Sequence, residues 1–300
     1  MGKLRFGAAL AAILTLVTGL APVSAQTIKV GSKNFTEQYI LAEIYAVALE
    51  NAGFKVERKI NLGGTLIAHA AITSGEIDLY PEYTGTALIS VVKTAISSDP
   101  QKVYDEVKGF YEKEFKITWL KPTGINNGYV LIVRPETAEK YKLKTLSDLG
   151  RAAKELVVGG GPEFADRKDG LPGLKATYGA EFKEFKQFAK LGLRYDALAA
   201  KQIDVANGFA TDWQIAAKKY ATLDDDKGLF PPYFVAPLVR QATLSANPRI
   251  AGILDAIGPL LDNDTMRALN AKVEVDHDEP RAVALAFLKQ KGIEIGRAHV

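Results

Sequence analysis

The sequence predicts an α/β protein of two similar lobes with a cleft between them, on three observations. Strand-like and helix-like segments alternate along the chain. An Ile-Asp strand end followed by an aromatic residue and a Thr-rich turn occurs twice. The residues with the most chemistry fall in loops next to predicted strands. The two copies of the repeat are Ile77-Asp78, with Tyr83, Thr84 and Thr86 after it, and Ile203-Asp204, with Phe209 and Thr211 after it; in each, the ring stands five residues beyond the Asp. Two lobes, each with one ring at the carboxyl end of a strand, suit a protein that holds a ligand in a cleft. In open α/β sheets ligands sit beyond the carboxyl ends of strands.

The elements follow in order. Ile28 to Val30 reads as a short strand, and Thr36 to Ala52 as a helix with apolar residues at Ile40, Ile44, Val47 and Ala48, closed by Gly53. Val56 to Ile60 is a second strand, Thr65 to Ser74 a helix ended by Gly75, and Ile77 to Tyr80 a third strand, which makes a βαβαβ beginning. A helix from Pro100 to Phe115 and strands at Ile117 to Trp119 and Tyr129 to Val133 continue the alternation. Leu156 to Gly159, a helix at Leu171 to Tyr178, and Ile203 to Ala206 repeat the theme before a strand at Phe234 to Val239. From Pro248 to Gln290 the pattern is mostly helical, with Asp264 as the expected N-cap of a helix from Thr265 to Val273.

The two ends read differently from the body. Lys3 and Arg5 precede an apolar run from Phe6 to Leu20, and Val23-Ser24-Ala25 offers small residues for cleavage, so residues 1–25 are expected to be a secretory signal rather than a membrane anchor. At the other end, Ile295 to Val300 reads as translated adapter rather than native chain, and 295–300 is set aside as a non-native tail. The chain has no cysteine, which excludes a lipid anchor on Cys, a disulfide and a thiolate metal site. A free periplasmic protein is expected. Removing Lys3 and Arg5 lowers the formal charge of +3 by two, and a near-neutral surface gives no reason to expect nucleic acid or membrane as a partner. With 47% apolar residues and no Pro-rich linker, two sizeable cores joined by short ordered crossovers are expected.

Five loops carry the candidate site. In Gly31 to Gln38, Lys33 lies just before a helix N-terminus, a setting suited to a small carboxylate. Taken alone, a solvated lysine beside an ordinary N-cap accounts for that loop as well. In Tyr80-Pro81-Glu82-Tyr83-Thr84-Gly85-Thr86, a rigid turn presents the Tyr83 face to a cation and the Thr86 hydroxyl to a carboxylate, with Tyr80 expected to pack. Tyr129 and Tyr233 stand where the chain is expected to cross between lobes, so both rings face the cleft. After Gly159-Gly160-Gly161, Arg167 is placed to fork a carboxylate from the second lobe. The Gly triplet lacks the spacing of a dinucleotide loop and the Gly-Lys-Ser or Gly-Lys-Thr of a phosphate loop.

Six segments in the same order resemble the substrate-binding proteins of osmoprotectant ABC importers, the binders of glycine betaine, carnitine and choline. They are Gly31 to Glu43, Gly63 to Thr65, Tyr80 to Thr86, Glu163 to Leu174, Asp225 to Tyr233 and Asp264 to Asn270, and the likeness runs from Ile28 to Gly292. The resemblance implies a type II periplasmic-binding fold, with one lobe from 26–127 and 234–292, a second from 128–233, and two crossovers. It further implies a cation cage of Tyr83, Tyr129 and Tyr233, and carboxylate contacts from Lys33, Thr86 and Arg167. Phe209 stands where family members carry another Tyr, which keeps the ring face and loses the hydroxyl.

The implied ligand is a small quaternary ammonium such as glycine betaine, delivered by a monomeric binding protein to separate permease and ATPase chains. Another small zwitterion is the alternative, with choline expected to bind weakly because it leaves Lys33 and Arg167 unused. An enzyme is not expected, because neither His69 nor His277 has a nucleophile neighbour. No cofactor or metal is expected either. Asp224-Asp225-Asp226 lacks the Gly and Glu of a calcium loop and reads as a solvated turn.

Overall fold

The structure is a computed structural model that describes residues 27–293. The expected signal at 1–25 and the expected tail at 295–300 lie outside the described residues. Two five-stranded sheets are present. In the first, β1 (Ile28–Gly31) runs parallel to β2 (Val56–Lys59) and β3 (Leu79–Tyr83). There β10 (Val235–Arg240) lies antiparallel between β3 and β4 (Ile117–Trp119), giving the order β2-β1-β3-β10-β4. In the second, β5 (Tyr129–Val133), β6 (Val157–Gly160), β7 (Glu184–Gln187), β8 (Val205–Phe209) and β9 (Ala221–Leu223) take the order β7-β6-β8-β5-β9. The two orders are the same topology, and the two-lobed α/β fold is as the sequence predicts.

That topology places the rings. In each sheet the antiparallel strand is the one the chain enters directly from a crossover: β5 on the way out, β10 on the way back. Antiparallel pairing sets the start of each entering strand beside the end of a parallel one. Tyr129 is therefore opposite Phe209, and Val235, two residues after Tyr233, is opposite Tyr83. The crossovers also bond to each other, Asn127 N donating to Tyr233 O at 3.1 Å and Tyr233 N to Asn126 Oδ1 at 2.8 Å.

The duplicated Ile-Asp pair precedes each strand rather than ending it. Asp78 Oδ2 accepts from Lys29 N at 2.8 Å, and Asp204 Oδ2 accepts from Val157 N at 3.0 Å. Each Asp thus closes the start of a parallel pair, and the strands run on past the expected ends, from Leu79 to Tyr83 and from Val205 to Phe209. The expected turn at Pro81 is a strand residue opposite Pro237. This pairing tolerates two prolines because their carbonyls point apart: Pro81 O accepts from Gln38 Nε2 and Pro237 O from Leu120 N, so neither missing N–H faces the other strand.

The helix Thr36–Asn51 is buried on nearly every face, not along one stripe, because the helices Asn263–Glu274 and Pro280–Gln290 pack into the same core cluster. The N-cap of the first of these is Asp262, whose carboxylate accepts from Thr265 N at 2.8 Å; the expected cap, Asp264, is exposed and pairs with Arg267. The acidic turn at 224–226 is also more than solvated. Asp225 accepts from Leu229 N, Phe230 N and the Tyr178 hydroxyl, and Asp226 accepts from Ser147 N, which ties down the segment leading to Tyr233.

Candidate functional site

All seven residues singled out in the sequence, Lys33, Tyr83, Thr86, Tyr129, Arg167, Phe209 and Tyr233, line one cavity of about 200 Å³ between the lobes. The rings form a row across the cleft. Tyr83 and Phe35 stack at 6.2 Å between centroids, Phe35 and Phe209 at 5.9 Å, and Phe209 and Tyr129 at 5.5 Å, with interplanar angles of 18–25°. Tyr233 stands 6.0 Å from Tyr129 at 60°, and Phe164 meets Tyr129 edge-on. Phe35 is therefore the ring that joins the two lobes, and the sequence reading passed over it although it sits beside Lys33. A run of consecutive polar residues with one Phe gives no sign of which way that ring turns.

The two cage tyrosines of the first sheet region donate to buried carboxylates. Tyr83 OH donates to Glu37 Oε1 at 2.7 Å, and Tyr233 OH donates to Asp169 Oδ2. Burial first, and these carboxylates second, push both phenols well above their ordinary pKa, so each keeps its proton and stays a donor. Burial likewise pushes Tyr129 up to about 12. Glu37 also accepts from Asn127 Nδ2 at 2.9 Å and, across the cleft, from Thr211 Oγ1 at 2.5 Å. Its carboxyl is raised by burial, which outweighs the three hydrogen bonds that favour the charged form. Glu37 was missed in the sequence because an acid in the first turn of a helix has an ordinary explanation. Only the fold brings Thr211 to it.

The cations are not as free as expected. Lys33 Nζ lies 2.5 Å from Glu82 Oε1 and donates to Thr65 Oγ1 at 3.2 Å. Arg167, expected to fork a ligand carboxylate, has its Nε and Nη2 on Asp169, while Nη1 lies 3.5 Å from the Thr86 hydroxyl. Asp169 is wholly buried, and a carboxylate there is held only by a paired cation. Arg194, also buried, donates to Asp212 at 2.7 Å, and Asp212 in turn accepts from Phe209 N and fixes that strand end. Each of these cations rides a ring of the row at 4.9–5.1 Å: Lys33 over Tyr83, Arg167 over Tyr129, Arg194 over Phe209. Each is balanced by its own carboxylate, so the cavity wall has no surplus positive charge. Asn207 Oδ1, buried on the same wall, has no hydrogen-bond partner among the described residues.

Neither His69 nor His277 lines this cavity. His69 packs edge-on against Tyr111 and Phe115, where burial lowers its pKa, and among the described residues no cluster of acids and histidines has metal-site geometry. No described helix is long and apolar enough to cross a membrane.

The family model described as the substrate binding domain of ABC-type glycine betaine transport systems matches residues 26–290. A glycine-betaine-binding protein of Pseudomonas aeruginosa is 36% identical, over 97% of this chain and 95% of that protein. An ergothioneine transport permease/ergothioneine binding protein of Helicobacter pylori is 34% identical over 90% of this chain; the chain spans about half of that protein, 49% of its length. Among solved structures, one described as a glycine betaine/carnitine/choline ABC transporter superposes with a TM-score of 0.74 at 31% identity, covering 89% of this chain and 99% of that one. The chain belongs to the substrate-binding family of ABC-type glycine betaine transport systems.

Proposed function

We propose that the chain binds a quaternary-ammonium osmoprotectant, glycine betaine or a similar compound, and hands it to separate permease and ATPase chains of an importer. The observation that carries this reading is the convergence of Tyr83, Tyr129, Phe209 and Tyr233 on one cavity between two lobes, beside Lys33, Thr86 and Arg167. A quaternary nitrogen has no N–H to donate, so ring faces are its best partners, worth about 2 kcal/mol or more each when desolvated. Adjacent rings of the row, 5.5–6.2 Å apart, leave no space for a trimethylammonium between them, so the headgroup meets the row from the cavity side. Two tyrosine hydroxyls donating to Glu37 and Asp169 enrich those rings and favour a cation further.

The remaining parts of the proposal are a monomer in the periplasm, exported by the signal at 1–25, with lobes at 26–127 plus 234–292 and at 128–233. It binds and releases its ligand without chemical change. Family membership and the ring-lined cavity support the binding role; the lone histidines give no support to catalysis. Titration calorimetry with glycine betaine, proline betaine, carnitine and choline tests it. Heat of binding is expected with at least one, and no heat with any of the four overturns the reading.

A further inference from the structure

We infer that Glu163 decides which quaternary-ammonium compounds the cleft accepts: its carboxylate holds the anion subsite that Thr65, Lys33 and Arg167 form across the lobes, so a ligand ending in a carboxylate has to displace it and one ending in an alcohol does not. The inference rests on the function proposed above. Glu163 belongs to the second lobe, yet its Oε1 accepts from Thr65 N at 2.6 Å and its Oε2 from Thr65 Oγ1 at 3.1 Å. Thr65 opens the ten-residue helix Thr65–Ser74 of the first lobe, and exposed N–H groups there favour an anion. Lys33 Nζ donates to the same Thr65 hydroxyl, and Arg167 Nη1 lies 3.7 Å from Glu163 Oε2. The donors suited to a ligand carboxylate thus converge on a carboxylate of the protein.

Two further features show that the contact is built in. Gly64 has no side chain, and a Cβ there would stand 2.4 Å from Glu163 Oε1. Lys33 and Arg167 are already matched by Glu82 and Asp169, so no unbalanced cation remains to hold a second carboxylate beside Glu163. Like charges sharing one set of donors oppose each other. The Glu163 side chain is 40% exposed, which leaves it a route into solvent when it is displaced.

Calorimetry with glycine betaine and choline on the wild-type chain, Glu163→Gln and Gly64→Ala tests this. The glutamine keeps an acceptor for Thr65 N and removes the charge; the added methyl at position 64, where φ is −72°, pushes the carboxylate off its donors. The affinity ratio of glycine betaine to choline is expected to rise by about tenfold in both variants. The ratio is the readout because weaker lobe closure alone lowers both affinities together. A ratio within about twofold of wild type in Glu163→Gln overturns the role of Glu163 while leaving the binding reading intact. Binding of none of glycine betaine, proline betaine, carnitine and choline by any of the three proteins overturns the binding reading itself.

Discussion

Glu37 ties together three separate parts of the cleft. Its carboxylate accepts from Tyr83, from Asn127 on the crossover and from Thr211 of the second lobe, all at 2.5–2.9 Å and all buried. Leaving a buried donor without an acceptor costs about 1–3 kcal/mol, so Glu37→Ala, which strands three, is expected to lose about 3–9 kcal/mol of stability. Glu37→Gln is a sharper comparison. Its oxygen serves Tyr83 and Asn127, and its amide donates to the Thr211 hydroxyl, which accepts as readily as it donates. A loss within about 1 kcal/mol is expected there.

Urea unfolding followed by the fluorescence of Trp119 and Trp213 measures both. An alanine variant within about 1 kcal/mol of wild type, or a glutamine variant as unstable as the alanine one, would refute the argument. The pH dependence adds an independent sign. Burial raises the Glu37 pKa in the folded protein above its ordinary value of 4.5, so the folded state holds a proton that the unfolded chain releases. The stability this confers is full below the unfolded value and is lost as pH rises through the folded one. Wild type is therefore expected to lose stability relative to Glu37→Gln as pH rises above 4.5, and a constant difference would contradict the burial of the charge.

The remaining expectations concern the rings and the repeat. Tyr129→Ala and Tyr233→Ala should each weaken ligand binding more than about tenfold by calorimetry, a desolvated ring being worth about 2 kcal/mol; unchanged affinity in both would show that the cation sits elsewhere. Asp78→Ala and Asp204→Ala should each cost about 1–3 kcal/mol in urea unfolding by leaving Lys29 N or Val157 N without its acceptor, and a loss in only one would mean the two copies do different work.

Much of the fold was legible because local rules carry it. The helices Pro100–Phe115, Thr65–Ser74 and Leu171–Tyr178 begin and end where Pro, Gly and apolar spacing place them. Strand ends were harder, since Asp78 and Asp204 act through hydrogen bonds to distant strands, and Pro81 sits in a sheet because its missing N–H faces away from the strand it is paired with. In the site, the rings and cations could be named one by one from the loops that hold them. Their partners could not. Asp169 stands two residues from Arg167 and Glu82 next to Tyr83, yet nothing local says that these acids turn inward to take the charges a ligand was expected to meet.

The sequence by itself determined the alternation of strands and helices, the doubled architecture and the residue types gathered at the cleft, because periodicity, caps and turn residues act over a few positions. Only the tertiary structure decided that Phe35 bridges the two halves, that Lys33 and Arg167 are already neutralised, and that Glu163 reaches across to Thr65. These are contacts between residues up to 174 positions apart, as with Thr211 and Glu37. Their geometry follows from how two sheets of equal topology face one another, which no short stretch of chain encodes.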